Sequence, residues 1–487
     1  MRLHIYNNLN QQSLNIASIF FLLILSISSN LIIDPALIVY KTLFIGTINI
    51  IIFIFVVRYT FGKNIEINLL IVFIIGLFIS GILPQLYLVL RLESVPFIDP
   101  WNSASEFSNV STYTLIGIIF LIIGYNSTSK SRQKKSFSHK PIYSTAIYLN
   151  LIIIFFVLAW TARFVLFING AYYFAYKEAN FIFGQWYSVL SQISNLGIFA
   201  LIILFLLTHK TKKYYKLLWL VLSFELLWVI PSGARTSIAI IILVIGFFYW
   251  YRDRAIPIKK LVFIFIIFTL SFPVLGLYRY TIGDYSDISS FSFENTVMAL
   301  NAANKLTQIS DQMRGMNNFD SFIRRLYDGN SLGFLLINYH QDYDWQYGWT
   351  IFRGIVGIAI PYFIFPARDI NQLTLNEWYP QIQLGGSSPV TFMGEGYMNF
   401  SYFGFIILPL MLGYILKKTD SFFKNRSSNL IYNSLYLFLL VNFVFMYSQG
   451  MVIMLSTFRL VFIYGVFTFI LLQLINPRKI FFAYKKH

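Results

Sequence analysis

Twelve stretches of mostly apolar sequence recur along this chain, at 14–33, 36–57, 67–88, 112–125, 144–167, 187–207, 217–230, 237–251, 261–277, 397–416, 430–447 and 453–475. A segment of about 20 apolar residues is the length at which a helix crosses the hydrocarbon core of a bilayer. Only a helix or a closed barrel satisfies its backbone polar groups there. The spacing therefore predicts an all-α polytopic membrane protein with about 12 transmembrane helices. Composition agrees: 57% of the 487 residues are hydrophobic and 12% are charged, about half the usual charged share of a soluble domain. Cysteine is absent, which excludes disulfides, zinc–thiolate and iron–sulfur ligation, and cysteine nucleophiles.

The formal charge of +17 reads as topology and not as a nucleic-acid surface. Positive loops stay on the cytoplasmic side. With both termini cytoplasmic, the inner segments carry 24 of the 37 lysines and arginines, with Asp253 and Asp420 as their clear acids. The chain then divides into spans one to nine (1–278), one large external segment (279–396), and spans ten to twelve with a cytoplasmic tail (397–487). The external segment holds eleven acids and seven basic residues. Its apolar run 351–365 is short and interrupted by Arg353, Gly354, Gly357 and Pro361, so a re-entrant or interfacial segment is expected there.

Phosphate-loop, HExxH, GxSxG and dinucleotide-binding signatures are missing, so the candidate chemistry lies in charges within and beside the membrane. Arg235, in the turn Pro231-Ser-Gly-Ala-Arg-Thr236, suits a phosphate oxygen beside backbone N–H groups, or else snorkels to lipid headgroups. Arg279, at the outer end of span nine, carries the same two readings. Arg353 belongs to a set of arginines in the external segment that face a pocket or pair with its acids. Arg459, inside span twelve, requires a wet cavity or a partner, for which Glu225 is the structural candidate.

Glu395, in Met393-Gly-Glu-Gly-Tyr-Met-Asn399, is the candidate base, with helix N-terminal capping as its structural alternative. His340 is a second catalytic candidate. Tyr343, Trp345 and Trp349, interleaved with Asp342, Asp344 and Gln346, and Tyr397 further on, offer ring faces for sugars, or else an interfacial aromatic belt. The pair Asp342-Tyr-Asp344 is formally a metal-binding DxD, but it falls on the outer side, away from nucleotide sugars, and no metal is assigned to it.

Three motifs together resemble the oligosaccharide repeat-unit polymerases of the O-antigen polymerase type. They are Ser232-Gly-Ala-Arg-Thr236; Tyr347-Gly-Trp-Thr-Ile-Phe-Arg353 with Ile360-Pro-Tyr-Phe-Ile-Phe-Pro-Ala-Arg368; and the stretch from Ser387 to Phe400 leading into Tyr402-Phe-Gly404. In the last, Ser401-Tyr402-Phe403 separate Phe400 from Gly404, where the family runs Asn-Phe-Gly without interruption.

With the span count and the late external loop, the resemblance covers most of the chain. It implies a GT-C-like membrane glycosyltransferase in the cytoplasmic (inner) membrane, active on its periplasmic or exterior face and independent of metal and cofactor. The implied substrates are undecaprenyl-pyrophosphate-linked oligosaccharides, as donor and acceptor, for surface polysaccharide such as O-antigen or capsule. A chain-length regulator is an implied partner beside membrane lipid. In that reading Arg235, Arg279, Arg353 and Arg459 neutralise pyrophosphate, Glu395 is the base and the aromatic segment holds glycan. The rivals are an O-antigen ligase, in which His340 is essential, a lipid-linked oligosaccharide flippase, and a structural partner of an assembly complex.

Overall fold

The computed structural model describes residues 21–30, 32, 37–61, 67–91, 103–127, 144–168, 185–210, 212–229, 235–253, 297–298, 301–302, 305, 323, 329–359, 379, 390–427 and 429–475. Among these the secondary structure is helical, without strands. In chain order the helices are α1 (Phe21–Asn30), α2 (Ile38–Phe61), α3 (Leu69–Gly81), α4 (Leu83–Arg91), α5 (Phe107–Asn126), α6 (Thr145–Ile168), α7 (Gln185–Ser194) and α8 (Leu196–Lys210). They continue as α9 (Tyr215–Val229), α10 (Arg235–Asp253), α11 (Gly329–Asp342), α12 (Trp349–Ala359), α13 (Phe392–Phe400), α14 (Gly404–Lys424), α15 (Leu430–Phe443) and α16 (Met451–Ile475). Seven helical segments are long and apolar enough to cross a membrane, so the chain is a multi-pass helical membrane protein. The expected ninth span, 261–277, lies outside the described residues.

Three of the expected spans are interrupted. The stretch 67–88 breaks at Ile82, two residues before Pro84, whose ring cannot donate into the helix; Gln85 Nε2 takes up the Gly81 carbonyl at 2.8 Å. The stretch 187–207 breaks at Asn195. The carbonyls exposed there are taken by other helices, Ser194 O by Arg163 (3.0 Å) and Gln192 O by the Tyr464 hydroxyl, as broken helices in lipid require.

The third break corrects the expected span 397–416. Ser401, at φ 54°, opens a 3-10 turn over Ser401–Phe403 that turns the chain back on itself. A Cβ at Gly404 would lie 1.9 Å from Gly396 O, so the two backbones meet where neither carries a side chain. The membrane-length helix is α14, 21 residues or about 31 Å; Glu395 and Tyr397 belong to the separate α13. Ser401, Tyr402 and Phe403 form this turn.

The chain forms two compact units: residues 1–132, 323–421 and 443–456, and residues 133–322, 422–442 and 457–487. In the first, α1, α2 and α5 are joined by a buried polar seam: Ser26 Oγ donates to Asn49 Oδ1 (2.8 Å), Asn49 Nδ2 to Ser111 Oγ (2.7 Å), and Asn30 Nδ2 to Thr112 Oγ1 (2.8 Å). Interhelical bonds of this kind hold helices together where lipid supplies no hydrophobic drive. At one end of this unit Asp420 accepts from Tyr125 Oη (2.7 Å) and from the first amide of α3, Leu69 N (3.4 Å). Toward the opposite end of α5 and α14, Tyr113 stacks on Phe405 with ring centroids 4.7 Å apart.

In the second unit, Phe155, Phe199, Phe438 and Tyr464 pack ring against ring between α6, α8, α15 and α16. Its centre is an ion pair: Arg163 Nη1 and Nη2 donate to Glu225 Oε1 and Oε2, both at 2.7 Å, with the residues 2% and 0% exposed. Trp160 and Trp228 flank the guanidinium, 5.3 and 5.5 Å from its carbon. Glu225 is thus paired with Arg163, not with Arg459.

Candidate functional site

The candidate site lies in the first unit, where α11, α12 and α13 meet the start of α16. Helix α13 begins at Thr391, whose side chain accepts from Gly394 N (3.1 Å), and every residue from Phe392 to Asn399 is buried. A nine-residue helix enclosed on all sides and carrying Glu, Tyr and Asn is the most unusual element of this unit.

Glu395, 0% exposed, sits among three elements. Its Oε1 accepts from Thr350 Oγ1 of α12 at 3.0 Å, and its Oε2 from Met451 N, the first amide of α16. Asn399, one turn along α13, donates from Nδ2 to Thr350 Oγ1 (2.6 Å) and to Glu395 O (2.8 Å). A Cβ on Gly450 would lie 2.6 Å from Glu395 Oε2, so the start of α16 reaches the carboxylate because that residue is glycine. Glu395 therefore does cap a helix, but it is α16, 56 residues further on, and not its own.

A cavity opens beside the start of α13, lined in part by Ser80, Thr114, Leu332, Thr391, Met393 and Tyr447. Ser80, Thr114 and Thr391 bring three hydroxyls to its wall.

The aromatic residues assemble into a continuous train. Tyr339 stacks with Tyr343 (5.6 Å) and meets Trp345 (6.0 Å); Tyr343 meets Tyr379 edge-on (5.4 Å). Trp345 meets Tyr397 edge-on (5.3 Å), and Tyr397 stacks with Phe405 (5.9 Å). The loop between α11 and α12 is fixed to α13 by Gln346 N donating to Met398 O (3.0 Å) and turns through Tyr347 and Gly348, both at positive φ. Burial, and after it the Asp342 carboxylate, pushes the Tyr379 phenol up. Burial also pushes the Tyr339 phenol up, and its hydroxyl donates to Asp344 O at 3.2 Å. Both remain neutral near neutral pH.

Of the four expected glycan contacts, Tyr343 and Trp345 are half-buried in this train and Trp349 is exposed at the start of α12. Tyr397, at 1% exposure, is covered by Trp345 and Phe405 and has no ring face open to a sugar; it supports the other rings. His340 is exposed near the end of α11, while its neighbour Tyr339 points into the train. Asp342 and Asp344 are both exposed, and among the described residues no three acidic or histidine side chains gather as a metal site.

Arg353 lies half-buried on α12, one turn beyond Thr350, and Arg459 half-buried within α16. Arg235 is the first residue of α10; the preceding turn, 231–234, and Arg279 lie outside the described residues. Thr350 and Asn399 were not among the expected site residues. Asn399 was within reach of sequence reasoning, since positions i and i+4 share a helix face with Glu395. No protein-family model, curated protein or solved structure matches this chain.

Proposed function

We propose that this protein polymerises lipid-linked oligosaccharide repeat units, joining undecaprenyl-pyrophosphate-linked donor and acceptor at the outer face of the cytoplasmic membrane. The observation that carries the reading is the packing of the Tyr339–Tyr343–Trp345 train against the helix that buries Glu395, in one unit of a multi-pass membrane protein. Aromatic rings beside amides and carboxylates suit a glycan. The positive-inside reading places this end outside and the Asp420–Tyr125 end inside, which agrees with their separation along α5 and α14.

In this reading Tyr343, Trp345 and Trp349 hold the acceptor glycan over a floor that includes Tyr397. Arg353, one turn from Thr350, is the first candidate to neutralise the departing pyrophosphate, and Arg235, Arg279 and Arg459 are the other candidates that the sequence offers. The acceptor hydroxyl attacks the anomeric carbon, the bond to the pyrophosphate oxygen breaks, and the hydroxyl proton passes to a base. Glu395 serves as that base only if Thr350 gives up Oε1; otherwise it positions α12 and its arginine.

A second reading, transport of the same lipid-linked oligosaccharide, is favoured by one observation. The interrupted stretch α13–α14 meets the start of α16 at Glu395 and Gly450, and broken helices form substrate sites in transporters. A deletion strain separates the readings. Single repeat units on the final acceptor, with no longer products, support polymerisation. Lipid-linked units held on the inner leaflet overturn it in favour of transport, and lipid-linked polymer that never reaches its acceptor overturns it in favour of a ligase.

A further inference from the structure

Helix α12 buries one side and exposes the other. Thr350, Ile351 and Gly354 are buried, whereas Trp349, Phe352 and Ile355 are 55%, 57% and 47% exposed. At about 100° per residue the buried three fall within one arc of about 100° and the exposed three within another of about 120°, on opposite sides of the helix. Val356, half-buried, lies inside the exposed arc, and Trp349 and the half-buried Arg353 adjoin along one rim of it. The outward side is thus aromatic and aliphatic, and the hydroxyl of Thr350 points inward to Glu395. A helix on a water-facing surface has the reverse pattern, polar residues outward and apolar ones inward.

Three contacts fix the level of this helix. A Cβ on Gly348 would lie 3.3 Å from Phe400 Cζ, just before the turn that opens α14. Thr350 bonds Glu395, whose other carboxylate oxygen takes the first amide of α16. A Cβ on Gly354 would run into Cγ2 of Val452, the second residue of α16, so α12 presses on that helix because the residue is glycine. Helices α14 and α16 have 21 and 25 residues, about 31 and 37 Å, and so are of membrane length. It is their beginnings that α12 touches.

From Gly348 to Gly354 the chain of α12 advances about 9 Å, yet both ends of that stretch stay beside the starts of the spanning helices. A helix plunging into the bilayer would meet α16 about six residues further along. Helix α12 therefore runs along the boundary of the hydrocarbon. Its 11 residues, about 16 Å, cover only half of the roughly 30 Å needed to cross.

We propose that α12 is an interfacial helix whose Phe352, Ile355 and Val356 face lies against the hydrocarbon of the lipid leaflet bordering the candidate site, with Trp349 and Arg353 at headgroup level. Position identifies the occupant. An apolar arc on the outside of a multi-pass membrane protein, at the level where its spanning helices begin, meets lipid. A short helix with an apolar face and with tryptophan and arginine along one rim is the form that lies in this layer. With Thr350 on one side and lipid on the other, this helix stands between Glu395 and the bilayer. The contact with lipid does not depend on the glycosyl-transfer reading, and either can fail without the other.

The chain has no cysteine, so a single introduced thiol carries one spin label without background. The test places labels at Phe352→Cys and Ile355→Cys, with His340→Cys, at an exposed position near the end of α11, as reference. The full chain is reconstituted in phospholipid vesicles, and power-saturation electron paramagnetic resonance compares collisions with oxygen, which concentrates in hydrocarbon, and with a water-soluble nickel chelate. At Phe352→Cys and Ile355→Cys oxygen collisions should exceed nickel collisions, with a ratio several-fold higher than at His340→Cys. Should either variant fail to fold, the other and Val356→Cys decide. Labels that collide more with nickel than with oxygen would show a water-facing surface and overturn the proposal. Low collision with both reagents would show that protein covers this face, and overturns it equally.

Discussion

The two compact units each bury a glutamate completely and satisfy it in opposite ways. Glu225 receives a full positive charge through the two-pronged Arg163 fork, held between two tryptophans. Glu395 receives a hydroxyl and a backbone amide, and beside it an amide oxygen is left unengaged. In the first arrangement a full counter-charge meets the carboxylate: each carboxylate oxygen has its partner at 2.7 Å and Ser194 O takes a further guanidinium hydrogen, while Arg163 Nε is left without a partner. In the second no counter-charge is present among the described residues, and two dipoles offset the charge only in part. A carboxylate held by a full counter-charge suits a structural fastening, and one held by dipoles alone is the better candidate for a site.

Breaking the ion-paired arrangement should have the largest effect. Arg163→Ala leaves Glu225 buried and unpaired, an expected loss of about 3–5 kcal/mol, seen as a collapse of the monodisperse peak in fluorescence-detected size exclusion. The double variant Arg163→Met/Glu225→Leu should recover most of it, since an apolar pair of similar volume replaces the ion pair. Failure of the double to recover would show that Arg163 does more than neutralise Glu225.

Gly197→Ala probes the same centre sterically. Its new Cβ would lie 2.4 Å from Glu225 Oε1 and 2.8 Å from Arg163 Nη2, so a loss of about 1–3 kcal/mol is expected in thermal unfolding. Thr350→Val sharpens the contrast from the Glu395 side. It removes one hydrogen bond from Glu395 and one acceptor from Asn399, for about 1–3 kcal/mol. Its loss of activity should exceed what the fall in protein level explains.

The smallest effect concerns the aromatic train. The Tyr379 phenol titrates above its ordinary value in the folded chain, so the unfolded chain releases this proton first as pH rises. The stability it contributes is complete below about pH 10 and is lost above that, as pH rises toward the folded value. Tyr379→Phe should flatten the alkaline arm of the stability curve without changing it at neutral pH.

Much of the helical architecture was legible because apolar runs of membrane length admit few structures. The interruptions were less so. Pro84 announces the break at Ile82, whereas Asn195 and Ser401 carry no strong local signal, and their breaks depend on side chains from distant helices. Arg163, Glu225 and Arg459 were all recognisable as intramembrane charges, but which two pair depends on how α6 and α9 pack, 62 residues apart in sequence. Likewise the glycines around Glu395 marked a close approach, yet the helix it caps begins at Met451 and nothing local points there.

The most direct measurement compares two variants in a deletion strain, reading the surface-glycan size ladder against membrane protein level. Glu395→Gln is expected to reach the membrane near wild-type level and to leave single repeat units. Arg163→Met/Glu225→Leu is expected to restore the ladder in proportion to the protein present. A full ladder from Glu395→Gln, or none from a well-expressed double variant, would contradict the assignment of the site to the first unit and of the fastening to the second.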